Sequence, residues 1–218
     1  MSESKKILLI GTGGHCLSVL DSLLATCKYE TIGIVGKEEC QFEGEQRRIM
    51  GVPIIGSDAD LFELFSQGYT EAFVAIGSVG DISLRKKLYQ IVKKIGFQLP
   101  NIIDNTSVVS KNITLGEGIY IGKNAVVNAC TIIGDCVILN TGCTVEHECK
   151  IGDFVHIAPG AILSGNVEVH EGTHIGAGSI VRQGIHIGYN TMVGIGSVVV
   201  KDIPSYVTAY GNPCKEVK

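Results

Sequence analysis

An aliphatic residue stands at every sixth position from Ile103 to Val199, seventeen in succession without a gap. The position two residues earlier is small or aliphatic, as at Ala125, Thr131, Cys143, Ala161 and Ser179, and the position after the aliphatic is often Gly, Asn or Ser. An amphipathic helix repeats its apolar face about every 3.6 residues and an open strand every two or so, and neither fits. The pattern fits a chain wound around a prism, one short strand and one corner per hexad. Three hexads close a coil of eighteen residues, so the fifteen hexads from Ile113 make five coils. At a strand spacing of about 4.8 Å that stack is roughly 24 Å long. Each inward aliphatic contributes about 1.5–3 kcal/mol once buried. No hexad carries an insertion, so no long loop leaves the prism. A mean hydropathy of +0.29 fits flat faces buried against copies of the same chain. A homotrimer is expected, because three prisms can share faces around one axis.

Residues 1–100 have a different rhythm, in which strands alternate with helices. Lys6–Ile10, Thr31–Val35 and Ala72–Ile76 read as buried strands, and Gly51–Ile55 as a short extended piece. Leu17–Leu24, Asp58–Phe65 and the amphipathic Asp81–Ile95 read as helices, the second capped by Ser57 or Asp58. This alternation predicts a small Rossmann-like parallel sheet covered by helices. Pro100 marks the junction with the prism at 101–218, since the residue before proline is biased away from helix.

The chain carries a net charge of −4 and no Lys/Arg run, which argues against a nucleic-acid partner. Its apolar stretches near the N-terminus are short and broken by Gly11, Gly13 and Gly14, so neither a signal peptide nor a membrane span is expected, and the cytoplasm is the expected location. The eight cysteines contain no C-x-x-C pair and read as reduced thiols.

Three places can carry chemistry. The loop Gly11-Thr12-Gly13-Gly14-His15 follows a strand and opens a helix. Such a loop lets backbone N–H groups and a helix N-terminus meet a phosphate. The full G-x-G-x-x-G pattern is absent and Gly36-Lys37, not an acid, ends the second strand, which disfavours a dinucleotide. A nucleotide-sugar diphosphate fits better, with Gly77-Ser78 at the next strand end lining the same crevice. An ordinary tight turn is the plainer reading. Glu146-His147-Glu148 lies at a prism corner, with His147 outside the inward row. A histidine beside carboxylates can have its tautomer fixed and accept a proton from an attacking amine or hydroxyl. A solvated polar corner is the alternative. His156, His174 and His186 lie at spacings that do not force convergence, so no metal is expected.

Taken together, several motifs carry a resemblance. They are Gly-x-Gly-Gly-His at 11–15, Ala75-Ile76-Gly77, Leu139-Asn140-Thr141, Glu146-His147-Glu148-Cys149, Phe154-Val155-His156, Ser164-Gly165-Asn166 and Gly211-Asn212-Pro213-Cys214-Lys215. The chain resembles, over nearly its whole length, the bacterial sugar acetyltransferases of the left-handed parallel β-helix superfamily. The likeness is to the branch holding sialic acid O-acetyltransferases and the nucleotide-amino-sugar N-acetyltransferases of the bacillosamine and perosamine type. The resemblance implies left-handed coils, a trimer, and acetyl-CoA held between adjacent prisms as cosubstrate. It implies His147 as general base with Glu148 raising its basicity. Gly13, Gly14, His15 and Gly77 would hold a nucleotide sugar, and His156, Gly165, Ala177 and Ile195 would meet acetyl-CoA. Gly36-Lys37 stands where relatives acting on UDP-amino sugars often carry an acidic pair, and Cys214 where alanine is usual.

The expected activity is acetyl transfer to a UDP-4-amino-sugar type acceptor, for bacterial surface glycan or glycoprotein synthesis. Three alternatives stand beside it. One is O-acetylation of sialic acid, another a metal hydratase like the γ-carbonic anhydrases, and the third a module that binds nucleotide sugars without catalysis.

Overall fold

The hexad period becomes visible as geometry in a computed structural model, which describes residues 5–36 and 47–217. Seventeen two-residue strands follow one another from Ile102–Ile103 to Val198–Val199, each but the last three pairing with the strand eighteen residues on, in parallel as in Val126↔Thr144 and Thr144↔Ile162. Two hexads thus precede the fifteen counted from Ile113. The pairing sorts the strands into three sheets, which are the three faces of a left-handed parallel β-helix. Face one carries Val108–Val109 to Val198–Val199, face two Thr114–Leu115 to His186–Ile187, and face three Ile102–Ile103 to Met192–Val193. Face three is extended by Thr208–Tyr210 and by an antiparallel last strand, Lys215–Val217.

The aliphatic row and the small-residue row both point inward. Val127, Val145, Leu163 and Val181 are buried with Ala125, Cys143, Ala161 and Ser179. Cross-strand layers of this kind bury a continuous core that no one coil could close alone. At each corner from Gly118 (φ 65°) to Gly196 (φ 63°), every sixth position, one residue takes positive φ. Gly or Asn fills most of these positions, while Cys130, Cys136, Glu148 and Phe154 do not have the residue type that the left-handed region favours.

The chain divides into two compact units. One comprises Met1–Gly77 with Ser83–Ile102, the other Ser78–Ile82 with Ile103–Lys218. The first unit is a five-stranded sheet. Its strands are β1 (Lys6–Ile10), β2 (Thr31–Val35), β3 (Arg48–Ile49), β4 (Val52–Gly56) and β5 (Glu71–Val74), in the order β3-β4-β2-β1-β5. All pairings are parallel except β3 with β4. Helices α1 (Gly14–Thr26), α2 (Leu61–Ser66) and α3 (Ser83–Ile95) accompany it. α1 begins three residues before the expected Leu17, because Gly13 in extended conformation starts the helix directly after the loop. Ser57 caps the turn before α2 in a reciprocal box with Asp60. α3 starts at Ser83, not Asp81, since Ser78–Ile82 belongs to the β-helical unit. Of the Gly36-Lys37 pair, Lys37 lies outside the described residues.

Candidate functional site

The sheet order of the first unit reverses at β1, whose neighbours are β2 on one side and β5 on the other. Ligands of open α/β sheets bind at such a switch point, outside the carboxyl ends of the strands. The loops leaving β1 and β5 meet there. A Cβ on Gly11, at φ 128°, would lie 2.8 Å from Ile76 Cγ1 and 2.9 Å from the Ala75 carbonyl oxygen, so glycine is needed for the loops to approach. A Cβ on Gly77 would lie 3.3 Å from His15 Cβ, which brings those two predicted residues together. Gly13 and Gly14 differ. Both are exposed, and a Cβ on either would meet nothing within 4 Å. Gly13 has φ −83°, open to any residue. Neither packing nor backbone demands glycine at 13, and what the missing side chain leaves is open space at a helix N-terminus, where an anion is favoured.

In the β-helix, His147 sits on the edge between faces one and two, with half of its side chain exposed at 53%. Its Nδ1 lies 3.0 Å from Glu148 Oε2. An ionised carboxylate only accepts, so Nδ1 carries the hydrogen and Nε2 keeps its lone pair. Glu146, the other flanking carboxylate, accepts from Asn128 Nδ2 of the preceding coil at 2.9 Å. One carboxylate thus orients the ring and the other serves the stack. Gly165, eighteen residues beyond His147, lies against the imidazole.

Ala177 and Ile195 are stacked on a different edge, between faces three and one, and no hydrogen bond among the described residues takes up the N–H of either. Face one therefore separates them from His147 and Gly165 within one chain. Its outward residues include Val108, Ile162 and Ile180, exposed at 65%, 38% and 44%.

His156 stands elsewhere, on face three, and is buried. Asn140 Oδ1 accepts the N–H of Thr141 at 2.8 Å, which turns Asn140 Nδ2 toward His156 Nε2 at 3.2 Å. Nε2 is then the acceptor, and Nδ1–H donates to the Ser78 carbonyl at 2.9 Å. Both ring nitrogens of the expected acetyl-CoA contact are thus engaged by the chain itself. Sequence reading did not single out the roles of Asn128 and Asn140. The eighteen-residue spacing from Asn128 to Glu146 was a usable signal, whereas the contact of His156 with Ser78 spans 78 residues and has no periodic trace. His174 packs edge-on against His156 with ring centroids 4.8 Å apart. Its Nδ1 is buried without a hydrogen-bond partner among the described residues, and burial holds its pKa below the ordinary imidazole value.

The thiols near the corner are poor nucleophiles. Burial pushes Cys143 up to about 12 and Cys149 up to about 11, so both are protonated at neutral pH. Among the described residues no group of three or more His, Cys, Asp or Glu side chains converges on a metal position. No helix of the described residues is long and apolar enough to cross a membrane.

Known proteins carry both halves of this arrangement. Residues 6–92 match the PglD N-terminal domain, and residues 148–183 match the bacterial transferase hexapeptide family (six repeats). The crystal structure of PerB from Caulobacter crescentus in complex with CoA and GDP-perosamine is 39% identical, with 98% of this chain and 97% of that one covered at a TM-score of 0.88. The acetyltransferase domain of PglB from Neisseria gonorrhoeae is 34% identical, with 98% and 100% covered at a TM-score of 0.89. The same domain, also at 34% identity and with the same coverage, has been solved in complex with acetyl coenzyme A, at a TM-score of 0.88. With relatives this similar over whole chains, the protein belongs to the hexapeptide-repeat family of sugar N-acetyltransferases that includes PerB and PglB.

Proposed function

We propose that the protein transfers the acetyl group of acetyl-CoA to the amine of a nucleotide-linked amino sugar of the 4-amino type, in the making of bacterial surface glycans or glycoproteins. The observation that carries this reading is the His147–Glu148 pair at 3.0 Å, with Nε2 left free to accept a proton. The neutral amine attacks the thioester carbonyl, and Nε2 takes the proton as the C–N bond forms. Glu148 stabilises the imidazolium. The tetrahedral intermediate then expels the CoA thiolate, which takes the proton back from His147. The thioester is already activated, so no covalent enzyme intermediate is needed, in keeping with the protonated Cys143 and Cys149.

Gly13, Gly14, His15 and Gly77 hold the nucleotide diphosphate in this reading, and the free N–H groups of Ala177 and Ile195 meet the pantetheine chain of acetyl-CoA. Those two and His147 occupy opposite edges of face one. Three prisms with face one turned toward a common axis set the His147 edge of each copy beside the Ala177–Ile195 edge of the next. A homotrimer with three composite sites follows, and it buries an apolar face. Acetyl-CoA as donor and the free thiols of the described cysteines fit a cytoplasmic reaction.

The test is release of free CoA thiol from acetyl-CoA with GDP- and UDP-linked 4-amino sugars, and with sialic acid as the hydroxyl control. Release with an amino sugar is expected. Release with sialic acid alone would sink the assignment of an amine acceptor.

A further inference from the structure

Gly165 is buried, although Ala129 and Lys111, which hold the same corner position two and three coils earlier, are exposed. What covers Gly165 is the imidazole of His147. A Cβ on Gly165 would lie 2.6 Å from His147 Cε1, 2.6 Å from Nε2 and 3.2 Å from Nδ1, and these are its three nearest atoms. No real Cβ sits so close, so glycine and the ring position exclude any alternative at 165. The backbone makes no such demand, because Gly165 is absent from the residues with positive φ. Ala129 shows that the same corner accepts a methyl when no imidazole lies above it.

We infer that Gly165 is a positioning residue for the catalytic base. Its missing side chain forms the seat in which Glu148 holds the ring. A methyl at 165 has one way to be accommodated. The half-exposed ring swings out, and the Nδ1–Glu148 contact goes with it, while the coil stays intact. This differs from a role in holding acetyl-CoA, which would leave the base alone. The inference rests on the reading of His147 as general base.

The test combines Gly165→Ala, His147→Ala and the double variant in a thermodynamic cycle. Gly165→Ala should lower kcat about 100-fold, as a displaced catalytic group does, with the KM for acetyl-CoA and the Kd for CoA unchanged. In the His147→Ala background the same methyl should cost neither turnover nor melting temperature, because the ring it would meet is gone. A raised KM for acetyl-CoA with kcat intact would overturn the seat, as would multiplicative losses in the double variant. Destabilisation by Gly165→Ala in the absence of the imidazole would overturn it as well. Near-normal turnover of His147→Ala on its own would instead remove the base assignment, and that arm is read separately.

Discussion

Glu148 orients His147 from a backbone conformation that glutamate disfavours. Its φ is 60°, and its side chain is 64% exposed, so apart from His147 little in its surroundings rewards the strain. An L-residue in the left-handed region costs about 1–2 kcal/mol. The exposed contact with His147 returns about 0–1 kcal/mol. Glycine relieves the strain but costs about 0.5–1 kcal/mol in chain entropy. Glu148→Ala therefore keeps the strain and loses the contact, whereas Glu148→Gly loses both. The glycine variant should be the more stable of the two by about 0.5–1 kcal/mol, the reverse of their order inside a helix. For a chain of this length that is roughly 1–4 °C in melting temperature. Both variants lack the carboxylate that orients the ring, so both should lose about tenfold or more in kcat, as a misplaced catalytic group does. Thermal melts at one protein concentration and thiol release at one pH measure the two quantities. Equal stability of the two variants would refute the strain. Full turnover in Glu148→Ala would refute the orienting role. The combination expected, a residue costly to the fold and useful to the reaction, is what strained sites show.

Three further outcomes follow from the same geometry. His174 is held below its ordinary pKa by burial, so at pH 7.5 it is neutral folded and unfolded. As the pH falls through about 6.5, the unfolded chain binds a proton that the folded one refuses, and stability drops. Urea titrations at pH 7.5 and 5.5 should show this drop shrinking in His174→Leu, and an unchanged difference would refute it. Ile162→Glu with Ile180→Glu, two charges on the apolar face one, should convert the proposed trimer to monomer by light scattering and abolish activity. A trimer that survives both charges would show that another face is shared. Gly13→Ala should leave the melting temperature unchanged, because its Cβ meets nothing within 4 Å, while raising the KM for the nucleotide sugar roughly tenfold or more through lost close approach. An unchanged KM would place the diphosphate elsewhere.

The β-helix was legible because its order is local and periodic. A row repeating every sixth residue identifies the inward positions, and eighteen residues per coil identifies the stacking partners. His147 over Gly165 and Asn128 beside Glu146 both follow that spacing. The strands of the first unit were legible from apolar runs, Lys6–Ile10 and Thr31–Val35 at both ends and the other two with ends shifted by one or two residues. Ala72–Ile76 is Glu71–Val74 in the structure, since the chain leaves the sheet to form the switch-point loop. The short β3 at Arg48–Ile49 and the antiparallel pair at the C-terminus were not read, because a two- or three-residue strand carries too little pattern.

The one-dimensional sequence determined the coil, its inner wall, the corner that bears the histidine and the glycine loop, because each depends on neighbours at fixed intervals along the chain. Only the tertiary structure decided that Glu148 and not Glu146 engages the ring, and that a seat beneath the ring explains Gly165. It also decided that Ser78 and Asn140 occupy both nitrogens of His156. Those outcomes turn on which side chain bends toward which atom, and on a segment 78 residues away folding back across a face, and a repeat in sequence fixes neither.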